Sequence, residues 1–174
     1  MTGAALVRPA ELLPEPGWEP ITHIARPGGL SFVRADASTE RLFIRYWRRS
    51  TDGALVGKVW FGPLCQGPPE HAHGGSMAAV LDDAMGISAW IAGHAVVAAG
   101  IDVRFRNMLP LGTVAALEAS VASLQGRKVQ TRGKLVGPDG VPFATAEGLF
   151  VALGTEKFHE LGARQKAPPG SGSG

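Results

Sequence analysis

The residues whose types and spacing could do chemistry stand together in one stretch. His71-Ala72-His73-Gly74-Gly75-Ser76 runs into an apolar segment, Met77 to Trp90, whose only charged residues are Asp82 and Asp83. A helix that begins at the glycines leaves its first amide N–H groups without internal partners, and its aligned peptide dipoles favour negative charge there. Gly74 and Gly75 have no side chain to shield those donors, so a thioester carbonyl could approach closely and be stabilised as it becomes an oxyanion. Loss of one such donor costs about 3–4 kcal/mol in a serine protease. The chemistry this suits is acyl transfer.

The carboxylate is placed by helical spacing. Asp82 lies beside Ala78, Ala79, Gly86 and Ala89 on the helical net, and these small residues leave room for another helix or a slender thioester group. At about 1.5 Å rise per residue, Gly75 and Asp82 are roughly 10 Å apart along the axis. One carbonyl can hardly touch both in the same copy. If both act on it, the carboxylate comes from a neighbouring subunit and the site lies at a dimer interface. Simpler roles stay open: the glycine pair as a tight helix entry, His71 and His73 bonded to loop backbone, Asp82 as a solvated helix residue, Asp83 as an orienting group, and His94 as a C-terminal cap.

These residues need a frame. Leu42 to Trp47 and Leu55 to Phe61 read as strands, and Gly62-Pro63 closes the second. Met77, Val80, Leu81, Ala84, Ile87, Ser88 and Ile91 recur at three and four residues, the pattern of a helix that Gly93 ends. Four alternating segments follow: Val96 to Phe105, Val114 to Leu124, Val129 to Val136 and Phe143 to Leu153. Turns at Gln125-Gly126-Arg127-Lys128 and Pro138-Asp139-Gly140 make the last three into adjacent hairpins. The order is strand, strand, long helix, four strands. A helix on one sheet face leaves the other face or an edge to be covered, and dimerisation is the natural solution.

Composition bounds the rest. The chain has 174 residues, 45% of them hydrophobic, enough for one domain with one core. Residues 1–40 are broken by five prolines and Gly28-Gly29 and read as an arm or irregular cover; 41–154 form the domain; 155–174 read as a flexible tail. The single Cys65 makes neither an intrachain disulfide nor a metal site by itself, and no metal or cofactor is expected. A net charge of +2, without a recognisable reading element, argues against nucleic acid. The acids inside the most apolar stretch argue against a membrane span, so a soluble, cytoplasmic protein is expected.

At this point the residues resemble a known family, the hotdog-fold acyl-CoA thioesterases. The likeness is to the branch, similar to phenylacetate-pathway thioesterases, in which His-Gly-Gly is followed nine residues after the His by a helix acid. Here His73-Gly74-Gly75 is followed at that spacing by Asp82, and the resemblance runs on through Gln125 to Lys128 and Asp139 to Phe150. It implies an α+β hotdog fold, a long central helix packed against a curved antiparallel sheet of five to six strands. It also implies a homodimer that joins two sheets, often paired again as a dimer of dimers. By that likeness Gly75 supplies the oxyanion amide, with Gly74 beside it at the substrate, and His73 orients the loop or polarises the thioester. Asp82 of the partner acts as nucleophile or as general base for water, with Asp83 beside it.

The chain departs from that pattern in two places. Many relatives carry Asn or Gln in the loop upstream of the His, where Gly67-Pro68-Pro69-Glu70 stands and Glu70 is a candidate substitute. Many carry Ser or Thr early in the next strand, where this chain offers Ala98-Ala99-Gly100. Coenzyme A needs phosphate contacts, for which Arg104 and Arg106 on one strand and Arg127-Lys128 at a turn are candidates. The function expected is hydrolysis of an acyl-CoA to free acid and coenzyme A. Hydrolysis of an acyl group on a carrier protein, or acyl-CoA binding without catalysis, are the alternatives. Trp47, Trp60, Trp90 and Met85 are candidate liners of the acyl tunnel, though core packing accounts for such residues equally.

Overall fold

A computed structural model describes residues 6–21, 32–33 and 40–154. The Gly28-Gly29 pair and the tail expected over 155–174 lie outside the described residues. In chain order the elements are β1 (Trp18–Pro20), β2 (Leu42–Arg49), β3 (Leu55–Phe61), a 3₁₀ turn (Pro63–Cys65), α1 (Gly74–Ile91), β4 (Val96–Phe105), β5 (Val114–Gln125), β6 (Lys128–Val136) and β7 (Pro142–Ala152). The six strands read from periodicity are all present. To them the structure adds β1, a short edge strand in the segment expected to be irregular, pairing Trp18 with Arg49 and Pro20 with Trp47.

All pairings are antiparallel, and the strand order is β1-β2-β3-β5-β6-β7-β4. The helix packs on one face of this sheet, so the molecule is a hotdog fold. Strand β6 shows the cause most simply: Val129, Thr131, Gly133 and Leu135 are buried beneath the helix while Lys128, Gln130, Arg132 and Lys134 face solvent. Two glycines let the helix sit close. A Cβ on Gly133 would stand 3.1 Å from Leu81 and 3.2 Å from Met85, and one on Gly148 would stand 3.2 Å from Met85. Met85 is therefore a core residue, fully buried in the seat of the helix.

Strand β3 is apolar on both faces apart from Lys58, because both are covered. Leu55, Val59 and Phe61 join the helix-side core, whereas Val56 and Trp60 join Phe43, Trp47 and Leu12 of the N-terminal segment in a second cluster. Trp47 and Trp60 thus pack against that segment, away from the helix. Beyond it, the outer face of β4 to β7 is polar, with Arg132–Glu147 and Lys134–Glu118 ion pairs.

The helix ends where Gly93 adopts φ +92°, a conformation open to glycine. There the N–H of His94 donates to Ala89 O and that of Gly93 to Trp90 O, closing the last turn. His94 caps through its backbone N–H. Among the described residues, no helix is long and apolar enough to cross a membrane.

Candidate active site

The loop before the helix folds back on itself and fixes His73 from both sides. Gly67 N–H donates to His71 O at 2.9 Å, Ala72 N–H to Leu109 O at 2.8 Å, and His73 N–H to Cys65 O at 2.7 Å. Gly67 must be glycine for this packing, since a Cβ there would stand 2.8 Å from the Cα of His73. Glu70 sits at φ +63°, the left-handed region that non-glycine residues seldom enter. Its carbonyl accepts from Leu111 N–H at 2.9 Å, which ties this turn to the strand connection. His71 is bonded to loop backbone, its Nδ1 lying 2.8 Å from Pro69 O.

His73 is the N-cap of α1. Its φ of −65° and ψ of 136° are extended, and its Nδ1 accepts from Gly75 N–H at 2.9 Å. With Nδ1 accepting, the neutral ring carries its proton on Nε2. The His73 carbonyl takes the N–H of Ser76 at 3.0 Å and its hydroxyl at 2.7 Å. One amide of the helix start is left over. Gly74 N–H has no hydrogen-bond partner among the described residues, whereas the Gly75 amide expected to meet an oxyanion is already engaged.

The two adjacent acids have different surroundings. Asp83 is buried and accepts a hydrogen bond from the Tyr46 hydroxyl at 3.0 Å, which fastens the helix to β2. Asp82 is half-buried. It lies on the part-exposed stripe of α1 that also holds Gly75, Ala78, Ala79, Gly86 and Trp90. In one chain this stripe separates Asp82 from the helix start by two turns, as the spacing requires.

Two cavities, each of about 340 Å³, flank the helix start. On the β2 side one is lined by Leu42, Leu64, Cys65, Gln66, Gly75 and Ser76, with Arg41 at its wall. Burial pushes the Cys65 thiol up, opposed by the Ser76 hydroxyl and the Arg41 charge, so it stays protonated at neutral pH. On the β4 side the other is lined by Pro68, Gly74, Met77, Phe105, Arg106 and Met108. The Phe105 ring lies against Gly74, where an added Cβ would stand 3.0 Å from its Cζ.

The other expected residues are more dispersed. Ala98 pairs with Phe150, whose ring reaches Gly86, so it stands beside the middle of the helix and not at its start. Arg104 lies opposite Thr145 on the outer face, paired with Asp102 at 3.1 Å. Arg127 Nε donates to Ala152 O at 3.1 Å, and Lys128 lies opposite Val151, both at the end of the sheet where β4 begins. Two residues join the site that spacing did not single out. Gln66 stands one residue before Gly67-Pro68-Pro69-Glu70, and the fold-back pairing Gln66 with Ala72 brings it to the helix start. Phe105 ends strand β4, and its contact with Gly74 is a product of the tertiary fold.

Comparison with known proteins points the same way. Residues 70–143 match the Thioesterase superfamily. The chain is 30% identical over 102 residues to acyl-coenzyme A thioesterase THEM5 of Mus musculus, covering 55% of this chain and 39% of that protein. To acyl-coenzyme A thioesterase THEM4 of Xenopus laevis it is 34% identical over 93 residues, covering 53% and 42%. A crystal structure of a thioesterase superfamily protein superposes with a TM-score of 0.60 at 34% identity, covering 62% of this chain and 53% of that one. The chain thus spans less than half the length of these two curated relatives. The superfamily match takes in His73, all of α1 and strands β4, β5 and β6, so over those residues the chain is similar to the Thioesterase superfamily, and its fold is the hotdog fold.

Proposed function

We propose that this protein hydrolyses acyl-CoA thioesters at the start of α1, with the carboxylate of Asp82 supplied by a second copy. The observation that carries the reading is the open Gly74 N–H beside a cavity, next to a Gly75 N–H that His73 already holds. The oxyanion role first assigned to Gly75 accordingly moves to Gly74. The curated relatives named as acyl-coenzyme A thioesterases support the substrate class.

The chemistry follows from these positions. The thioester oxygen accepts from Gly74 N–H, which polarises the carbonyl and stabilises the oxyanion. Water adds to the carbonyl carbon as the partner's Asp82 takes its proton; alternatively the carboxylate attacks directly and water then cleaves the resulting anhydride. Collapse of the tetrahedral intermediate breaks the C–S bond, and coenzyme A leaves as the thiolate, which takes up a proton. His73 Nε2–H is available to the substrate while Nδ1 keeps the cap. Gln66 is suited to holding the water or the carbonyl in the role foreseen for an upstream amide.

The topology supplies a way to bring Asp82 in. Strand β4 is one of the two edges of the sheet, with β1 at the other, and the row of backbone groups along it invites a second strand. Phe105 lies at the helix start and Ala98 beside the middle of the helix. Antiparallel pairing of β4 with itself about Ile101 would therefore set the middle of one helix against the start of the other. It would also carry the Arg127-Lys128 end of the partner's sheet towards this copy's helix start, where Arg106 already stands. The experiment is thiol release from a panel of acyl-CoAs by the native chain and by Asp82→Asn at matched oligomeric state. Release that falls at least about 100-fold in the variant supports the reading, and no release by the native chain overturns it.

A further inference from the structure

The cavity on the β2 side of the helix start has one wall that comes from the N-terminal arm. Phe32 lines it together with Gln66, His73 and Gly75. Its ring is 80% exposed, the most exposed of the large apolar side chains that border either cavity at the helix start. The next residue is its opposite: Val33 is buried and belongs to the helix-side core that also holds Leu42, Met77 and Val80. Val33 therefore anchors the arm to the domain at this point and leaves the neighbouring ring at the cavity wall. Phe32 lies outside residues 70–143, the span similar to the Thioesterase superfamily, so this wall is an addition made by the arm.

Resting on the thioesterase reading above, we propose that Phe32 is a substrate-contact residue, whose ring packs on the limb of the acyl-CoA that occupies the β2-side cavity. A ring left in water contributes little to the fold, and a molecule seated in this cavity is what would take its apolar surface out of water. The two limbs of a thioester leave the carbonyl carbon in different directions, and cavities flank the helix start on two sides. Acyl chain and pantetheine both present methylene groups, the chemistry an aromatic face covers well. The second copy proposed above pairs across β4, at the far end of the strand order from β2, so this wall stays with the chain that carries it. Phe32 takes no part in bond making. A contact of that kind is made equally in the ground and transition states, and its loss raises KM and leaves kcat in place.

The test is kcat and KM for acetyl-, hexanoyl- and palmitoyl-CoA, the inhibition constant of free coenzyme A, and the thermal midpoint, for the native protein, Phe32→Ala, Phe32→Leu and Leu13→Ala. Leu13 is 60% exposed and borders neither cavity. Phe32→Ala is expected to raise KM about 10-fold with kcat within about 2-fold and the midpoint unchanged, and Phe32→Leu to recover most of the loss. Leu13→Ala is expected to change none of these. A matching rise in the inhibition constant of coenzyme A would assign the ring to the pantetheine limb; a rise in KM that grows with acyl length, at an unchanged inhibition constant, would assign it to the acyl limb. Either supports the contact. KM and inhibition constant both within about 2-fold of native in an active Phe32→Ala protein would overturn it, as would a lowered midpoint, which would show that the ring serves the fold. Absence of thiol release by the native protein would instead reject the thioesterase reading, and this contact with it.

Discussion

His73 Nδ1 accepts the N–H of Gly75 at 2.9 Å, so a single imidazole both caps α1 and determines which of the two glycine amides faces the cavity. A cap of this kind contributes about 0.5–2 kcal/mol when the residue is a good acceptor. His73→Ala is expected to lower stability by about 1 kcal/mol and to reduce kcat. His73→Asn restores an acceptor at the same position and is expected to recover the stability without the rate. Chemical denaturation beside steady-state kinetics checks both; full activity in His73→Asn would show that the ring contributes only the cap.

Gly74→Pro tests the oxyanion role proposed for this amide. Gly74 is the first helical residue, a position where proline is well tolerated, and the extended backbone of His73 suits a residue preceding proline. The Phe105 ring must give by a few tenths of an ångström. The variant is expected to keep its helix content and lose about 10²–10³-fold in kcat, with a smaller change in KM. Circular dichroism and a kcat and KM comparison decide it, and an unchanged kcat would return the donor role to Gly75.

Much of this was legible in the chain, and what was not has a physical explanation. The periods of 3.6 and 2 placed α1 and six strands because one face of each is buried. Strand β1 escaped notice because Trp18–Pro20 is too short for a pattern and is held only by its pairing to β2. Helical spacing also set Gly75 and Asp82 two turns apart on α1, as the single helix Gly74–Ile91 has them. Periodicity could not show that Gly75 N–H is consumed by its own neighbour, because a capping bond depends on a rotamer. Nor could it distinguish Asp83, which the Tyr46 hydroxyl holds from a distant strand, from Asp82 one residue away.

The outer face gives a pH dependence of stability. Arg49 donates to Asp52 and to Glu118, and its hydrogen bond holds the Asp52 carboxyl down to about 2 from an ordinary 3.8; Glu118 is lowered by the same partner, with Lys134 assisting and burial opposing. Lowered carboxyl values mean that this stabilisation is fully present above the ordinary carboxylate range and is lost as pH falls through the folded-state values. The thermal midpoint should therefore decline from about pH 4.5 towards pH 2. Arg49→Gln should lower the midpoint at neutral pH and flatten that decline; an unchanged slope would show that other groups carry it.

Cys65 reports on the cavity on the β2 side of the helix start. It is buried, and its thiol lies above the ordinary range, so reaction with a maleimide at neutral pH should be slow in the native state and rapid after unfolding. Coenzyme A should slow it further, because the thiol shares a cavity wall with Gln66 and Ser76. Mass spectrometry of timed labelling, with and without coenzyme A, is the check, and acceleration on binding would show that coenzyme A does not cover this cavity.

The central claim, that each site joins the helix start of one copy to Asp82 of another, is tested most directly by complementation. Gly74→Pro and Asp82→Asn chains carrying different tags are co-expressed and the mixed dimer is purified. Each homodimer lacks a required group in both of its sites, whereas the mixed dimer holds one site with both groups intact. The account predicts thiol release near half that of the native dimer from the mixed species and little from either parent. A mixed dimer no more active than its parents would contradict a site shared between copies.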